Sequence, residues 1–230
     1  MSKSRNEVIN NILSNILVNH TEEELQITTY NKGQLIVNES DPMHIMYFVI
    51  SGKLKVYKEY ENGKTMLLGF EDGFNILGDV EYYSKRDTTC TVEVIKEVEL
   101  IKVDFNIINE RYSDSKQFND YIIKQLSEKL IDSQLNTRIN LVYKLETRLA
   151  SYFYSLYDEE TKTTIEIDSL ADISNNLGCS YRHLVRSIKS LIELKVIRKE
   201  KHIITILDFK KLKELSRGNV YENTSNKEEN

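Results

Sequence analysis

A cluster of basic and aromatic side chains in the last quarter of the chain has the composition of a polyanion-binding surface. Residues 180–217 hold eleven Lys/Arg against four Asp/Glu, a balance of +7, whereas the whole chain has a net charge of −5. A guanidinium can donate two hydrogen bonds to a guanine edge, and an ammonium attracts phosphate oxygens. The side chains that we expect to contact duplex DNA are those of Ser180, Tyr181, Arg182, His183, Arg186, Lys189, Lys199 and Lys201.

Each of these assignments has a simpler alternative. The basic segment could be a solvated, lysine-rich surface, because charge alone does not identify a ligand. Arg186 could form a surface salt bridge in place of a base contact, and Tyr181 and His183 could contact phosphate or only solvent. His183 is a poor metal ligand because Cys179 is its one nearby soft neighbour. We expect no catalytic residue, no cofactor and no metal site.

Two short helices joined by a tight turn are predicted to position the basic side chains. Asp168-Ser169 can cap a helix that runs to about Asn176. Gly178 supplies the left-handed conformation that a sharp turn needs, and Ser180 can cap a second helix. Such a pair is a helix-turn-helix, whose second helix places its N-terminal side chains in the major groove. The expected buried positions are Leu170, Ile173 and Leu177 on the first helix, and Leu184, Ile188, Leu191 and Leu194 on the second.

Two short runs rich in β-branched residues follow the second helix. Residues 196–199 and 202–206 are joined by Glu200-Lys201. Their composition predicts a β-hairpin. The hairpin would be the wing of a winged helix-turn-helix, with Lys199 and Lys201 placed to meet phosphates.

The first 114 residues have a different composition, with twelve Lys/Arg against nineteen Asp/Glu. Six of the eight glycines fall within residues 33–78, where they separate short apolar runs such as residues 45–50 and 54–57. This spacing predicts many short strands, and hence a barrel, a roll or a sandwich. Asn62-Gly63 predicts a two-residue hairpin turn, and helical spacing of apolar residues within 8–17 predicts a short amphipathic helix.

A long helical stretch separates these two regions. From Ser115 to about Leu156 there is no glycine or proline, and apolar residues return every three or four positions. This pattern predicts one long helix, or two helices with a bend near residues 137–140. A long helix between unlike domains often pairs with its own copy, although it could also pack inside one monomer. The residues that we expect at a dimer interface are Phe118, Ile122, Leu126 and Leu130.

Several classes of protein are disfavoured by the sequence. No apolar run approaches the ~18–20 residues that a membrane span needs, and the start of the chain lacks the apolar core of a secretory signal. We therefore expect a cytoplasmic protein without membrane contact. Cys90 and Cys179 are too few for a disulfide framework. A metalloenzyme built on a roll needs two or three histidines on facing strands, and only His44 lies in the predicted strand region.

The order of β-roll, long helix and winged helix-turn-helix resembles the catabolite activator protein/FNR (Crp/Fnr) family of bacterial regulators. The resemblance is carried by Lys32-Gly33-Gln34, residues 47–56 (YFVISGKLKV), Leu77-Gly78-Asp79, and Leu177-Gly178-Cys179-Ser180 followed by Arg186. It implies an α+β fold with an N-terminal double-stranded β-roll of the cyclic-nucleotide-binding, cupin-like type, a homodimer, a palindromic DNA site and a sensor pocket in the roll. The expected domains are residues 1–114 (roll with a short N-terminal helix), 115–140 (dimerisation helix), 141–217 (winged helix-turn-helix) and 218–230 (disordered tail).

The same resemblance implies where a small effector would bind. Family members that bind cyclic nucleotides hold the phosphate with a Gly-Glu pair and an arginine. Here Gly78-Asp79 has a shorter acid, Thr88 stands at the arginine position, and Arg86 lies two residues earlier, where a strand could still point it inward. A cyclic phosphate would lose its charge-assisted contacts, so we expect a different effector or none. The expected pocket residues are Gly78, Asp79, Arg86, Thr88 and Thr89.

The resulting hypothesis is a sequence-specific transcription regulator that binds a palindromic site as a homodimer. Double-stranded DNA is the expected partner, and RNA polymerase is a candidate protein partner. The alternative is a small-molecule-binding β-roll protein whose helical C-terminal region mediates protein–protein interaction. Salt-sensitive binding to a short palindromic duplex separates the two. An enzyme is a third, weaker hypothesis: Asp79 and Glu81 could share one face of a polar pocket, but acid chemistry there is unsupported.

Overall fold

The structure, a computed structural model, describes residues 5–21, 24–61, 63–157, 164–167 and 169–221. Within these residues the chain forms two units. The first holds residues 5–58 and 70–132, and the second holds residues 59–69 and 133–221. In the described part of the chain, none of the helices has both the length and the apolar composition required to cross a membrane.

The first half of the chain is mainly strands, and the second half is mainly helices. The first half contains α1 (Arg5–Asn15), β1 (Gln26–Tyr30), β2 (Leu35–Val37), β3 (Ile45–Glu59), β4 (Thr65–Asp72), β5 (Asn75–Leu77), α2 (Asp79–Ser84), β6 (Thr91–Asp104) and α3 (Phe105–Arg111). The second half contains α4 (Lys116–Val142), α5 (Leu145–Leu156), β7 (Thr164–Glu166), α6 (Leu170–Asn176), α7 (Tyr181–Glu193), β8 (Ile197–Glu200), β9 (Ile203–Ile206) and α8 (Phe209–Leu215). The predicted α+β order of strand-rich domain, long helix and helix-turn-helix with a hairpin is confirmed.

The sheet of the first half is antiparallel, with the strand order β1-β6-β3-β4, and β2 and β5 pair with β6 and β3. β3 and β6 pair along most of their length, with register shifts between Val49 and Leu54. Gly52 lies within this shift at a φ of 101°, and a Cβ there would be 2.1 Å from the Glu97 carbonyl oxygen. The apolar runs on either side of Gly52, predicted as two strands, therefore form one bent strand, because glycine lets the backbone bend without ending the pairing.

The predicted hairpin turn joins β3 to β4, but its loop is longer than two residues. The Tyr60 N–H donates to the Lys64 carbonyl at 2.9 Å, and the Gly63 N–H donates to the Tyr60 carbonyl at 2.8 Å. Gly63 has a φ of 73°, the left-handed conformation that closes a three-residue hairpin loop. Asn62, the other half of the predicted turn, lies outside the described residues.

The N-terminal part of α4 is built into a core of the first unit, together with α1, α3 and one face of the sheet. Phe118 and Ile122 are fully buried there, and Leu126 packs against the same core. The prediction that Phe118 and Ile122 form a dimer interface is therefore wrong, because they pack inside one monomer. A step of four residues turns about 40° around an α-helix. The predicted stripe therefore rotates from the core at Phe118 to solvent at Leu130, which is 60% exposed.

In the second unit, α5, α6, α7 and α8 pack with a three-stranded antiparallel sheet of order β7-β9-β8. α4 ends at Val142 and α5 begins at Leu145. The bend predicted near residues 137–140 therefore lies a few residues later, at Tyr143-Lys144.

The segment after α8 packs against the helices of the second unit. Tyr221 is fully buried, its N–H donates to Ser155 Oγ at 2.7 Å, and its hydroxyl donates to Asn140 Oδ1 at 2.8 Å. The prediction of a disordered tail over residues 218–230 is therefore wrong for its first four residues, 218–221. Residues 222–230 lie outside the described residues.

Candidate nucleic-acid interface

The turn between α6 and α7 is held by hydroxyl caps and one glycine. Ser169 Oγ accepts a hydrogen bond from the N–H three residues later at 3.1 Å, which caps α6 as predicted, while Asp168 lies outside the described residues. Gly178 takes a φ of 56°, the left-handed conformation expected of the turn. Ser180 Oγ caps α7 in the same way, at 3.3 Å. These local contacts fix where the second helix starts and which side chains occupy its first turn.

α7 has one apolar face. Leu184, Ile188 and Leu191 are buried on it, as predicted. Leu194 is 42% exposed, so its predicted burial is wrong. The reason is that the helix ends at Glu193, and Leu194 is the C-terminal cap.

The opposite face of α7 is basic. Arg182, Arg186 and Lys189 are exposed. At 100° per residue they fall within about 60° of one another around the helix axis. Tyr181 is 55% exposed on the first turn, and His183 is half-buried. The structure therefore brings Arg182, Arg186 and Lys189 together on one accessible face of α7, with Tyr181 and His183 on either side of it.

The predicted wing is present as a hairpin of β8 and β9, in which Glu200 pairs with Ile203. Its two-residue turn is Lys201-His202, one residue later than predicted, and Lys201 has a left-handed φ of 49°. Lys199 Nζ donates to the Lys201 carbonyl at 2.6 Å, so the ammonium lies against the turn. Because an ammonium has three protons, this bond leaves Lys199 able to share a phosphate with the exposed Lys201.

The residues predicted to hold an effector lie in the first unit. The side chains of two of them, Asp79 and Thr88, already form hydrogen bonds within the protein. Gly78 has a φ of 87°, and a Cβ there would be 2.7 Å from the Ile45 carbonyl oxygen, so this position requires glycine. Asp79 is buried, and its two carboxylate oxygens accept hydrogen bonds from Lys129 Nζ at 2.8 and 2.9 Å. The predicted acid is thus paired inside the protein.

The remaining predicted pocket residues do not converge on Asp79. Thr88 is buried, and its hydroxyl accepts the Asp41 N–H at 3.1 Å and lies within hydrogen-bond distance of two backbone carbonyls. Arg86 and Thr89 are exposed. The prediction that Arg86 could point inward is wrong, because residues 85–89 form an irregular segment in which strand alternation does not apply.

Sequence reasoning missed Lys129 as the partner of Asp79. The signal was present, because Lys129 comes three residues after Leu126 and so continues the side of α4 that faces the core. Burial raises the pKa of the neighbouring Glu81 carboxyl and raises that of the Cys90 thiol to about 11. Among the described residues, no group of three or more His, Cys, Asp or Glu side chains could hold a metal ion.

Two family models match the chain in the order of its domains. The cyclic nucleotide-binding domain matches residues 27–114, and the Crp-like helix-turn-helix domain matches residues 147–215. Fold and site together define a chain that joins a roll of the cyclic nucleotide-binding type to a winged helix-turn-helix. The chain belongs to the Crp/Fnr family of transcription regulators.

Individual proteins show the same likeness at low identity. An anaerobic regulatory protein of Pasteurella multocida is 23% identical over 196 residues, which cover 80% of this chain and 70% of that protein. A crystal structure of a crp/fnr-family protein from Eubacterium rectale superposes with a TM-score of 0.75 at 20% identity and covers 94% of this chain and 95% of that one. Lysophospholipase NTE1 of Phaeosphaeria nodorum is 27% identical over 93 residues, 40% of this chain, and the match spans only 6% of that protein's length.

Proposed function

We propose that this chain binds a palindromic DNA site as a homodimer and thereby regulates transcription. The observation that carries the proposal is the basic face of α7, where Arg182, Arg186 and Lys189 lie opposite the buried side of a capped helix. The major groove admits an α-helix, and an arginine there can donate two hydrogen bonds to a guanine. Tyr181 on the first turn and Lys201 on the wing are suited to the flanking phosphates.

The other predicted contacts have narrower roles in this proposal. Ser180 would help to position the first turn of α7, because its hydroxyl caps the helix by accepting the His183 N–H at 3.3 Å. His183 is half-buried and would meet the sugar–phosphate backbone only with its outer ring edge. Lys199 would share a phosphate with Lys201. These contacts would position the protein on the duplex, whereas Arg186 would read the sequence.

The dimer interface is assigned to the exposed face of α4 in the first unit. Ile123, Leu130 and Ile131 are each more than half exposed. Ile123 and Leu130 are seven residues apart, which places them on one side of the helix after two turns. The same face of a second copy would remove this apolar surface from water. The dimer must then hold its two recognition helices about 34–36 Å apart, one turn of DNA.

Regulation by this route implies further partners and a compartment. A DNA-bound dimer acts on transcription either by touching RNA polymerase or by excluding it from the promoter, so RNA polymerase is the protein partner that the proposal implies. The proposal places the chain in the cytoplasm with its DNA. No catalytic step belongs to it.

The test is binding of the full chain to a duplex selected from random sequence, followed by fluorescence anisotropy at several salt concentrations. Arg186→Ala should weaken binding to the selected site by about 1–3 kcal/mol and relax the preference at one base pair per half-site. Lys189→Ala should weaken binding to all sequences alike and reduce the slope of log affinity against log salt by about 0.9 per lost phosphate contact.

Lys210→Ala is the matched control. α8 lies at the C-terminal end of α7, where the neighbouring Lys211 ammonium donates to the Leu194 carbonyl at 3.1 Å. A helix of 13 residues is about 20 Å long, so Lys210 is far from the first turn of α7. Its replacement should leave both affinity and preference unchanged. The absence of salt-dependent duplex binding by the wild type would instead favour a protein-interaction role for the helical region.

A further inference from the structure

Lys129 makes a saturated set of hydrogen bonds inside the first unit. Its ammonium donates to both carboxylate oxygens of Asp79, at 2.8 and 2.9 Å, and to the carbonyl of Ile76. An ammonium has three protons, and here three acceptors receive them. The Asp79 side chain is 2% exposed and that of Lys129 is 21% exposed, so the pair is largely withdrawn from water.

The position of this ion pair is the place where the family resemblance puts an effector. Ile76 lies in β5, and Asp79 follows Gly78 at the start of α2, so Lys129 reaches from α4 to the turn predicted to hold a ligand. Thr88, at the position of the family's arginine, has its hydroxyl engaged by the backbone around Asp41. The protein's own side chains therefore occupy the polar groups that a ligand would need.

The charges around this place are unfavourable for an anion. Glu81 is buried two residues from Asp79. The charged groups that act on the partly buried Cys90 thiol include the carboxylates of Glu81, Glu39 and Glu71 and the ammonium of Lys129. An entering phosphate would face this excess of carboxylates and would compete with Asp79 for the ammonium. A positively charged group is the ligand that the site fits.

We propose that the effector site of the roll is an ammonium site, and that Lys129 of α4 fills it in place of a free ligand. This inference rests on the proposed DNA-binding function. The tethered ammonium ties α4 to β5 and α2, and so holds α4, the helix that carries the dimer face, in its DNA-binding position without any effector. The chain binds its operator constitutively, and cyclic nucleotides do not change its affinity.

The test uses the full chain with Lys129→Ala, which removes the ammonium and three methylene groups and leaves a gap shaped like n-propylammonium. The substitution leaves the buried Asp79 carboxylate unpaired, which destabilises the arrangement in which α4 is held in its DNA-binding position. Operator affinity should therefore fall by about tenfold or more. Millimolar n-propylammonium chloride should recover most of the lost affinity, measured by fluorescence anisotropy at constant ionic strength. Lys124→Ala is the matched control, because the Lys124 side chain lies on the same helix and is 64% exposed. It should show neither the loss nor the rescue.

A second measurement separates this inference from the DNA-binding proposal. n-Propylammonium should raise the melting temperature of Lys129→Ala and leave those of the wild type and Lys124→Ala unchanged, with no DNA present. If the wild type binds no duplex, the proposed function falls, and this melting comparison still decides the ammonium site. Wild-type affinity in Lys129→Ala, no rescue by the amine in either measurement, or tighter operator binding by the wild type with cyclic AMP or cyclic GMP would each overturn the inference.

Discussion

Replacing Tyr221 should reveal how firmly the segment after α8, residues 216–221, is packed in the second unit. The side chain is fully buried, and its hydroxyl donates to Asn140 Oδ1 at 2.8 Å on the last turns of α4. Removing a fully buried ring costs about 3–5 kcal/mol, because it leaves a cavity as well as losing contact. Tyr221→Phe keeps the ring and loses one hydrogen bond, which is worth about 1 kcal/mol. The backbone bond to Ser155 Oγ remains in both variants.

The assay is urea unfolding of the full chain, followed by far-ultraviolet circular dichroism at one fixed protein concentration, because dimerisation couples to stability. With a slope of about 3 kcal/mol per molar urea, the midpoint should fall by more than about 1 M for Tyr221→Ala and by about 0.3 M for Tyr221→Phe. Tyr60→Phe is the control, since Tyr60 is exposed and its hydroxyl lies 3.7 Å from Met66 Sδ. An unchanged midpoint for Tyr221→Ala would show that this segment is not packed and would refute the reasoning.

Two further substitutions address the dimer face and the partly buried Cys90 thiol. Leu130→Glu should convert the dimer to monomer in sedimentation equilibrium, because it places charge in the assigned interface, while Leu130→Met should stay dimeric. If Leu130→Glu is still a dimer, the exposed face of α4 is not the dimer interface. With Cys179→Ser as background, Cys90 should react with a thiol reagent at pH 8 about 100-fold more slowly when folded than in urea, because burial raises its pKa to about 11. Stability should fall between pH 9 and 11, where the unfolded thiol ionises first and the folded one retains its proton. Equal folded and unfolded rates would contradict the burial of Cys90.

The helix-turn-helix was predictable because its determinants are local. Ser169 and Ser180 cap helices that begin at the next residue, and Gly178 supplies the one left-handed position between them. Such signals act over three or four residues, so they can be read from the order of residue types. The predicted burial of Leu194 was wrong for a local reason as well. The helix ends at Glu193, so the next turn, which would have buried Leu194, does not form.

The dimer face and the effector site were harder to predict because they depend on distant residues. Phe118 and Ile122 have the apolar character of an interface, and only the packing of α1 and the sheet shows that they belong to the core. Asp79 and Lys129 are 50 residues apart, and neither type alone indicates a partner. Tyr221 lies in a polar stretch whose composition is typical of a tail, yet it is fully buried. Periodicity identifies an apolar side of a helix but not what covers it.

α4 connects these sites physically, since two of its sides have different roles within fewer than five turns of the first unit. Phe118 and Ile122 anchor it in the core, Lys129 binds Asp79, and Ile123 with Leu130 faces outward. An α-helix is stiff along its axis, and Leu130 follows Lys129 directly, so a movement of the α4 backbone that parts Lys129 from Asp79 also moves or rotates the outward face. A second copy packed on that face resists such a movement. The ion pair and the dimer should therefore stabilise each other, and loss of the Asp79–Lys129 pair should weaken dimerisation even though neither side chain lies on the interface.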